Sequence, residues 1–530
     1  MKAFVLPLIT LLTVWLVLSM VAEADDASPS GADSTRHPNI IIILSDDVGY
    51  GDIGCNGATK VTTPNIDRLA AGGLNFSDGH CTSSTCTPSR YSILTGQYAF
   101  RNKKAVILPG NAPLVIDPAG PTLPKMLKNA GYATGFVGKW HLGLGDGKID
   151  WNGTISPGPG EMGFDYSFFL PATPDRVPCV YVENHGVVNL DPKDPLSVSY
   201  DHKIGNDPTG FSHPELLRYP ADAQHSGTIV DHISRIGYMA GGHSARWTDE
   251  DMAALFLSKA QAFVAQNKDK PFFLYYCPHN IHVPRAPNGQ FLHTSECGIR
   301  GDSIEELDAT VGKFLASLKQ QGLTDNTLVI FSSDNGPIFN DGYKDGAVKE
   351  ANGHKPAGPY RGGKYQIYEG GTRIPFIVSW PGKVTPGTSK ALVSQLDLYA
   401  SLAELIGTPE AAKARPDSVN VLSALLGTSP TGRATFVEQD SGPTLALREG
   451  SWKLVIPGAA TNTRKLLEEG DITQGPPPAK GVQLYNLDDD VHEDHNIAAQ
   501  HPDIVQKMID ELRLVRGTSA AKDPSVAPNL

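Results

Sequence analysis

The chain has 530 residues, 40% of them hydrophobic and 19% charged, with a formal net charge of −12. That length leaves room for a large core and more than one domain, and the composition excludes a disordered or fibrous chain. The acidic balance argues against general nucleic-acid binding, which needs a basic surface, and requires a local Arg/Lys patch for any anionic substrate.

Lys2, the apolar run Ala3 to Val21 and the small-residue site Ala22-Glu23-Ala24 read as a signal peptide over 1–24, hence export to the periplasm or outside the cell. An uncleaved anchor is the alternative reading of the same run. No later stretch is apolar for long enough to span a membrane. Asn39 to Leu44 is a β-branched run typical of a strand buried on both faces. Thr63-Pro64 opens a helix, with Thr63 as N-cap and Pro64 at N1. A second helix follows Pro121, and Tyr132 to Val137 is a short strand.

Residues 143–245 are rich in Pro, Gly, Asp and His and weakly periodic; they are expected to be long insertions over the site. Helical spacing returns at Met252 to Val264 and Ile304 to Leu318, with strands at Pro271 to Cys277, Thr327 to Phe331 and Ile374 to Trp380. Short strands then recur at Thr435–Glu438, Leu445–Arg448, Trp452–Ile456 and Val482–Leu487, before a helix from Pro502 to about Val515. The alternation predicts an α/β fold with a large doubly wound, mixed but mostly parallel sheet flanked by helices over residues 36–408. A small C-terminal antiparallel sheet with one helix is expected over 409–516, then a flexible tail over 517–530.

Chemistry-bearing residues gather where strands end. The first strand runs into Asp46-Asp47 and the strand through Phe331 into Asp334-Asn335-Gly336. Open parallel sheets bind ligands at the carboxyl ends of their strands, so both pairs should share one edge. An Asp pair after a strand is also a common turn or cap. Two such pairs give four hard oxygen donors, which suit Ca²⁺ or Mg²⁺ rather than zinc. Gly138-Lys139-Trp140-His141 follows another strand; in extended geometry Lys139 and His141 point the same way, one to hold an anion and one to move a proton. Pro278-His279-Asn280-Ile281-His282 follows a third, with His282 expected in the site and His279 supporting the backbone. Arg361-Gly362-Gly363-Lys364 frees Lys364 to reach an anion.

The run Cys86-Thr87-Pro88-Ser89-Arg90, with Thr95-Gly96 beyond it, has the spacing C-x-P-x-R-x-x-x-x-T-G. It resembles the signature of type I sulfatases, arylsulfatase A-like members of the alkaline-phosphatase-like superfamily. The other segments stand in that family's order: DD, GKWHLG, PHNIHVP, SSDNG, and YEGGTRIP after the glycine-lysine loop. The resemblance implies a sulfuric ester hydrolase acting on a sulfated carbohydrate or aryl sulfate. Its nucleophile would be the hydrate of formylglycine (3-oxoalanine), made from Cys86 by a maturation enzyme, and it would pass through a covalent sulfo-enzyme. It further implies Ca²⁺ (or Mg²⁺) on Asp46, Asp47, Asp334 and Asn335. Arg90 and Lys139 would serve the hydrate and the metal-side anion, His141 the hydrate, and His282 and Lys364 the sulfate and leaving oxygen. Thr173 lies where some relatives place a substrate-side hydroxyl. A phosphonate monoester or phosphodiester hydrolase with the same nucleophile is one alternative; a non-catalytic glycan-binding homologue is the other. The remaining five cysteines include at least one without a disulfide partner, and Asn75 and Asn152 lie in N-glycosylation sequons.

Overall fold

Every residue of β1 (Asn39–Ser45) is buried. It lies mid-sheet, paired in parallel with β7 (Phe272–Cys277) on one edge and β8 (Thr327–Ser333) on the other. With no solvent-facing side, the strand is apolar from Ile40 to Leu44 rather than alternating. The computed structural model describes residues 37–458 and 481–517. The expected signal peptide, the stretch Gly475-Pro476-Pro477-Pro478, whose composition predicts a loop, and residues 518–530 of the expected tail lie outside the described residues.

The large sheet has ten strands among the described residues. Numbered in chain order, its other members are β2 (Leu74–Phe76), β3 (Ala133–Lys139), β4 (Tyr166–Leu170), β5 (Val182–Glu183), β6 (Gly186–Val187), β9 (Phe376–Ser379) and β10 (Gly387–Ser389). Their spatial order is β10-β2-β9-β8-β1-β7-β3-β4-β5-β6. The run β8-β1-β7-β3-β4 is parallel, while β9, β5 and β6 pair antiparallel. The fold is thus the mixed, mostly parallel α/β architecture expected. Five of the ten were not foreseen, the two- or three-residue strands β2, β5, β6 and β10 and the longer β4; Tyr166–Leu170 sits inside the stretch read as insertion, yet it extends the parallel run. Five residues, four of them apolar or aromatic, between glycine- and proline-rich segments carry too short a period to register as a strand.

α1 (Pro64–Ala71) starts with proline in its first turn, where no N–H is missed. The Thr63 hydroxyl does not cap it; it donates to Asp67 and accepts from the Gly54 N–H. α2 (Cys86–Thr95) has all ten residues buried, so it shows no amphipathic stripe. Pro88 is tolerated because it lies in the first turn. Gly96, at φ 64°, ends the helix in the left-handed conformation, which gives the Thr-Gly of the motif a structural reason. α3 (Leu123–Asn129), α4 (Met252–Asn267), α5 (Gly298–Gln320) and α6 (Leu398–Leu405) complete the main helices around the sheet.

The small sheet is antiparallel: β11 (Thr435–Gln439), β12 (Leu445–Glu449), β13 (Trp452–Ile456) and β14 (Gln483–Asn486). α7 (Pro502–Arg516) buries Val505, Met508, Ile509 and Leu512 with Phe436, Leu447, Leu454 and Leu484. The end of β11 touches the segment that leads into α2. Gln439 N–H donates to Thr82 O at 3.0 Å, and Ser84 N–H donates to Gln439 O at 2.9 Å. The small sheet therefore braces the approach to Cys86. All six cysteines are unpaired. Asn75, the first sequon position, is 7% exposed within β2 and donates to Asn56 Oδ1 at 2.8 Å.

Candidate active site

β1 and β8 run in parallel with Ser45 opposite Ser333, so the residues that follow them emerge side by side. Asp334 N–H donates to Ser45 O at 3.1 Å, Asp47 N–H to Asp334 Oδ1 at 3.3 Å, and Asn335 Nδ2 to Asp47 Oδ1 at 2.7 Å. β7 contributes from the other edge: Asp46 N–H donates to Asn280 O and Ile281 N–H to Asp46 O. The Asp46-Asp47 and Asp334-Asn335 pairs, almost three hundred residues apart, thus meet through sheet register.

Each carboxylate has a cation. Lys139 Nζ lies 2.7 Å from Asp46, Arg90 Nη2 2.8 Å from Asp334 and Lys364 Nζ 2.8 Å from Asp47. Arg90 also donates to Lys139 O at 2.8 Å, which ties α2 to the end of β3. Burial and the neighbouring Asp334 hold the Asp46 carboxyl well above the usual range, against the pull of Lys139. Burial pushes Asp47 and Asp334 the same way, but Lys364 and Lys139 outweigh it at the first, and Lys139 and Arg90 at the second, so both are lowered.

Cys86 is the first residue of α2 and 2% exposed. A helix N-terminus favours negative charge on an atom placed there. Burial nevertheless pushes the thiol up to about 12, against Lys139 and Lys364. Unmodified, it is therefore a poor nucleophile at neutral pH. Asp46, Asp47, Cys86 and Asp334 each offer a ligand atom within 4.8 Å of the others, all buried. Asn335 Oδ1 is buried and accepts no hydrogen bond. An orphaned amide oxygen beside three carboxylates is a donor set that fits a hard divalent cation.

The site opens into a pocket of about 50 Å³, lined by Cys86, His141, Asp175, Arg176, His225, His282, Asp341 and Lys364, among others. That volume is far below the roughly 300–1,000 Å³ of a usual ligand pocket, and its Lys364 and Arg176 lining suits a small anionic head-group. His141 Nε2 lies 3.0 Å from Leu108 O, which places its proton there and leaves Nδ1 as a buried, unpartnered acceptor. Burial, Lys139 and Arg176 hold its pKa well below the usual range. His282 Nδ1 lies 2.6 Å from Val283 O, which turns Nε2 toward Asp47, 3.9 Å away. Burial, then Lys364 and Lys139, lower it well below the usual range. Lys139 and His141 reach the site differently from the shared extended direction expected. Lys139 ends β3 on the carboxylates, whereas His141 has φ 54°, outside any strand. His279 is buried away from the pocket, its ring 6.2 Å from Phe256. Thr173 stands behind Arg176, its hydroxyl accepting from Nη1 at 2.6 Å.

Asp175, Arg176 and His225 form a polar wall that sequence reasoning missed. Arg176 Nη1 donates to Asp175 at 2.8 Å; His225 Nε2 lies 3.3 Å from Asp175 and Nδ1 2.7 Å from Asp222. Burial pulls the His225 pKa down, but the bonds to these two carboxylates outweigh it and hold it at about 9. The Asp-Arg pair following Thr173-Pro174 in a histidine-rich stretch was the available signal.

A family model described as Sulfatase matches residues 38–408. The chain is 49% identical over 486 residues to N-acetylgalactosamine-6-O-sulfatase of Bacteroides thetaiotaomicron, covering 91% of this chain and 94% of that protein. It is 34% identical over 502 residues to human arylsulfatase A, covering 91% and 88% respectively. A solved Bacteroides thetaiotaomicron structure, described under the metabolism of multiple glycosaminoglycans, superposes with TM-score 0.86 at 48% identity, covering 91% of this chain and 100% of that one. The phosphonate monoester hydrolase of Agrobacterium radiobacter shares the fold, with TM-score 0.54 at 16% identity and coverage of 91% and 96%.

Proposed function

Because the chain belongs to the sulfatase family, we propose that it removes sulfate from a sulfated carbohydrate after Cys86 has been converted to formylglycine by a maturation enzyme. The observation that carries this reading is Cys86 itself, at a helix N-terminus, within 4.8 Å of Asp46, Asp47 and Asp334, and on the wall of an anion-sized pocket. When present, the aldehyde hydrate would supply two hydroxyls on one carbon, and Ca²⁺ or Mg²⁺ bound by Asp46, Asp47, Asp334 and Asn335 would supply Lewis-acid charge.

The chain's own residues do the rest. Lys139 and Arg90 neutralise Asp46 and Asp334 and fix them under residue 86. Lys364 presents its ammonium to a sulfate oxygen. His141, neutral and with Nδ1 free to accept, takes a proton from a hydroxyl at residue 86. His282 Nε2 faces the pocket and serves the leaving oxygen. Asp175, Arg176 and His225 offer acceptors and donors at the pocket wall, where sugar hydroxyls would lie. A 6-sulfated galactose or N-acetylgalactosamine is the first substrate to test, since a relative named for that activity is half identical over nearly its full length. Export to a compartment where such glycans are met fits the N-terminal sequence; no helix among the described residues is long and apolar enough to cross a membrane.

The test combines intact mass with parallel assays. Conversion of Cys86 lowers the mass by about 18 Da. Turnover should be seen on 6-sulfated N-acetylgalactosamine and aryl sulfate, exceed that on aryl phosphonate, and fall on chelation. An active enzyme with an unmodified thiol at residue 86 would refute the mechanism.

A further inference from the structure

We propose that Asp341 is a counter-ion gate that competes with sulfate for the ammonium of Lys364 and so weakens retention of the product. This rests on the reading of the pocket as a sulfatase site. Lys364 Nζ donates to Asp341 Oδ2 at 2.8 Å and to Asp47 Oδ2 at 2.8 Å. An ammonium has three N–H donors, so two are spent on carboxylates. The two partners are not equivalent. Asp47 is fully buried and held by Asn335, whereas the Asp341 side chain is 14% exposed and lines the pocket. Tyr365 Oη anchors it by donating to Oδ1 at 3.0 Å. Burial alone would lower the Lys364 pKa, but Asp341 and Asp47 hold it well above the usual range.

A sulfate oxygen entering this corner gains a second N–H from Lys364 only by displacing Asp341. The cost scales with the charge that enters. Hydrolysis, ROSO₃⁻ + H₂O → ROH + SO₄²⁻ + H⁺, turns a monoanion into a dianion. A fixed negative charge on the wall therefore repels the product about twice as strongly as the substrate. Asp47, His282 and Asp341 also offer ligand atoms within 4.8 Å of one another. The Lys364 ammonium stands between the two carboxylates, so that corner already holds a cation.

The experiment measures inorganic sulfate binding to the mature enzyme by calorimetry, alongside competitive inhibition and KM for an aryl sulfate. Asp341→Asn keeps the shape and removes the charge. It should bind sulfate about tenfold more tightly, with KM lowered only about threefold, and Asp341→Glu should return both toward wild type. In a Lys364→Gln background the same substitution should tighten sulfate clearly less, because the competition for the ammonium is gone and only the direct repulsion is relieved. Unchanged or weaker sulfate binding in Asp341→Asn, or equal tightening without Lys364, overturns the proposal. Asp341→Ser carries the same prediction should the Asn variant fold poorly. A wild-type protein that binds sulfate but turns over no sulfate ester would refute the assigned function while leaving the calorimetric comparison decisive for the gate.

Discussion

His141 shows how one hydrogen bond assigns a chemical role. Its Nε2 proton is spent on Leu108 O, and burial with two neighbouring cations keeps the ring neutral, so Nδ1 is the basic atom facing the pocket. His141→Ala should release about one equivalent of phenol from an aryl sulfate and then stall, with steady-state turnover down 10²–10⁴-fold. Rapid-mixing kinetics would show the burst; normal turnover without one would reassign the residue. Cys86, Asp46-Asp47, Asp334-Asn335, Lys139, His141, His282 and Lys364 were read from short motifs: the two metal-side pairs, Lys139, His141 and His282 at or just beyond strand ends, Cys86 and Lys364 in the C-x-P-x-R run and the glycine-lysine loop. Asp175, His225 and Asp341 were not, because they meet only through loops whose path no periodicity encodes. His225 approaches Asp175 across fifty residues, and Asp341 acquires meaning only where Lys364 folds back onto it.

Strands and helices were read largely where they stand, since a buried parallel strand must be apolar along its whole length. What escaped were β2, β4, β5, β6 and β10, too short to show a period, and the close approach between β3 and β7. Gly138 has φ 117°, and a β-carbon there would lie 1.8 Å from Cys277 O. Gly131, in the turn before β3 at φ 89°, has open space around it. Gly138→Ala should therefore cost about 3 kcal/mol or more, and Gly131→Ala nearer 1 kcal/mol. Thermal unfolding of the two variants would check the order; equal losses would mean that β3 yields to the new methyl.

At the scale of the whole molecule, a buried charge network joins the small sheet to the helical turn that precedes β9. Lys453 lies 3.0 Å from Glu369, 2.8 Å from Glu438 and 3.3 Å from Glu493, and Arg448 lies 2.9 Å from Glu369. Glu369 opens the helical turn five residues beyond Lys364, so the small sheet steadies that lysine as well as Cys86. Burial raises Glu493 to about 7, against Lys453. A carboxyl raised on folding contributes stability that is complete below its unfolded value, near 4.5, and is lost as pH rises through about 7. Glu493→Gln should flatten the fall in Tm between about pH 5 and 8; an unaltered slope would place the titration elsewhere.

The sequon at Asn75 lies inside β2, which is paired on both sides by β9 and β10, its amide already bonded to Asn56. A eukaryotic secretory host attaches oligosaccharide before the polypeptide has collapsed, and a glycan there would bar that strand from docking. Yield from yeast or mammalian culture should consequently be poor and recover with Ser77→Ala, whereas bacterial production should be indifferent to the change.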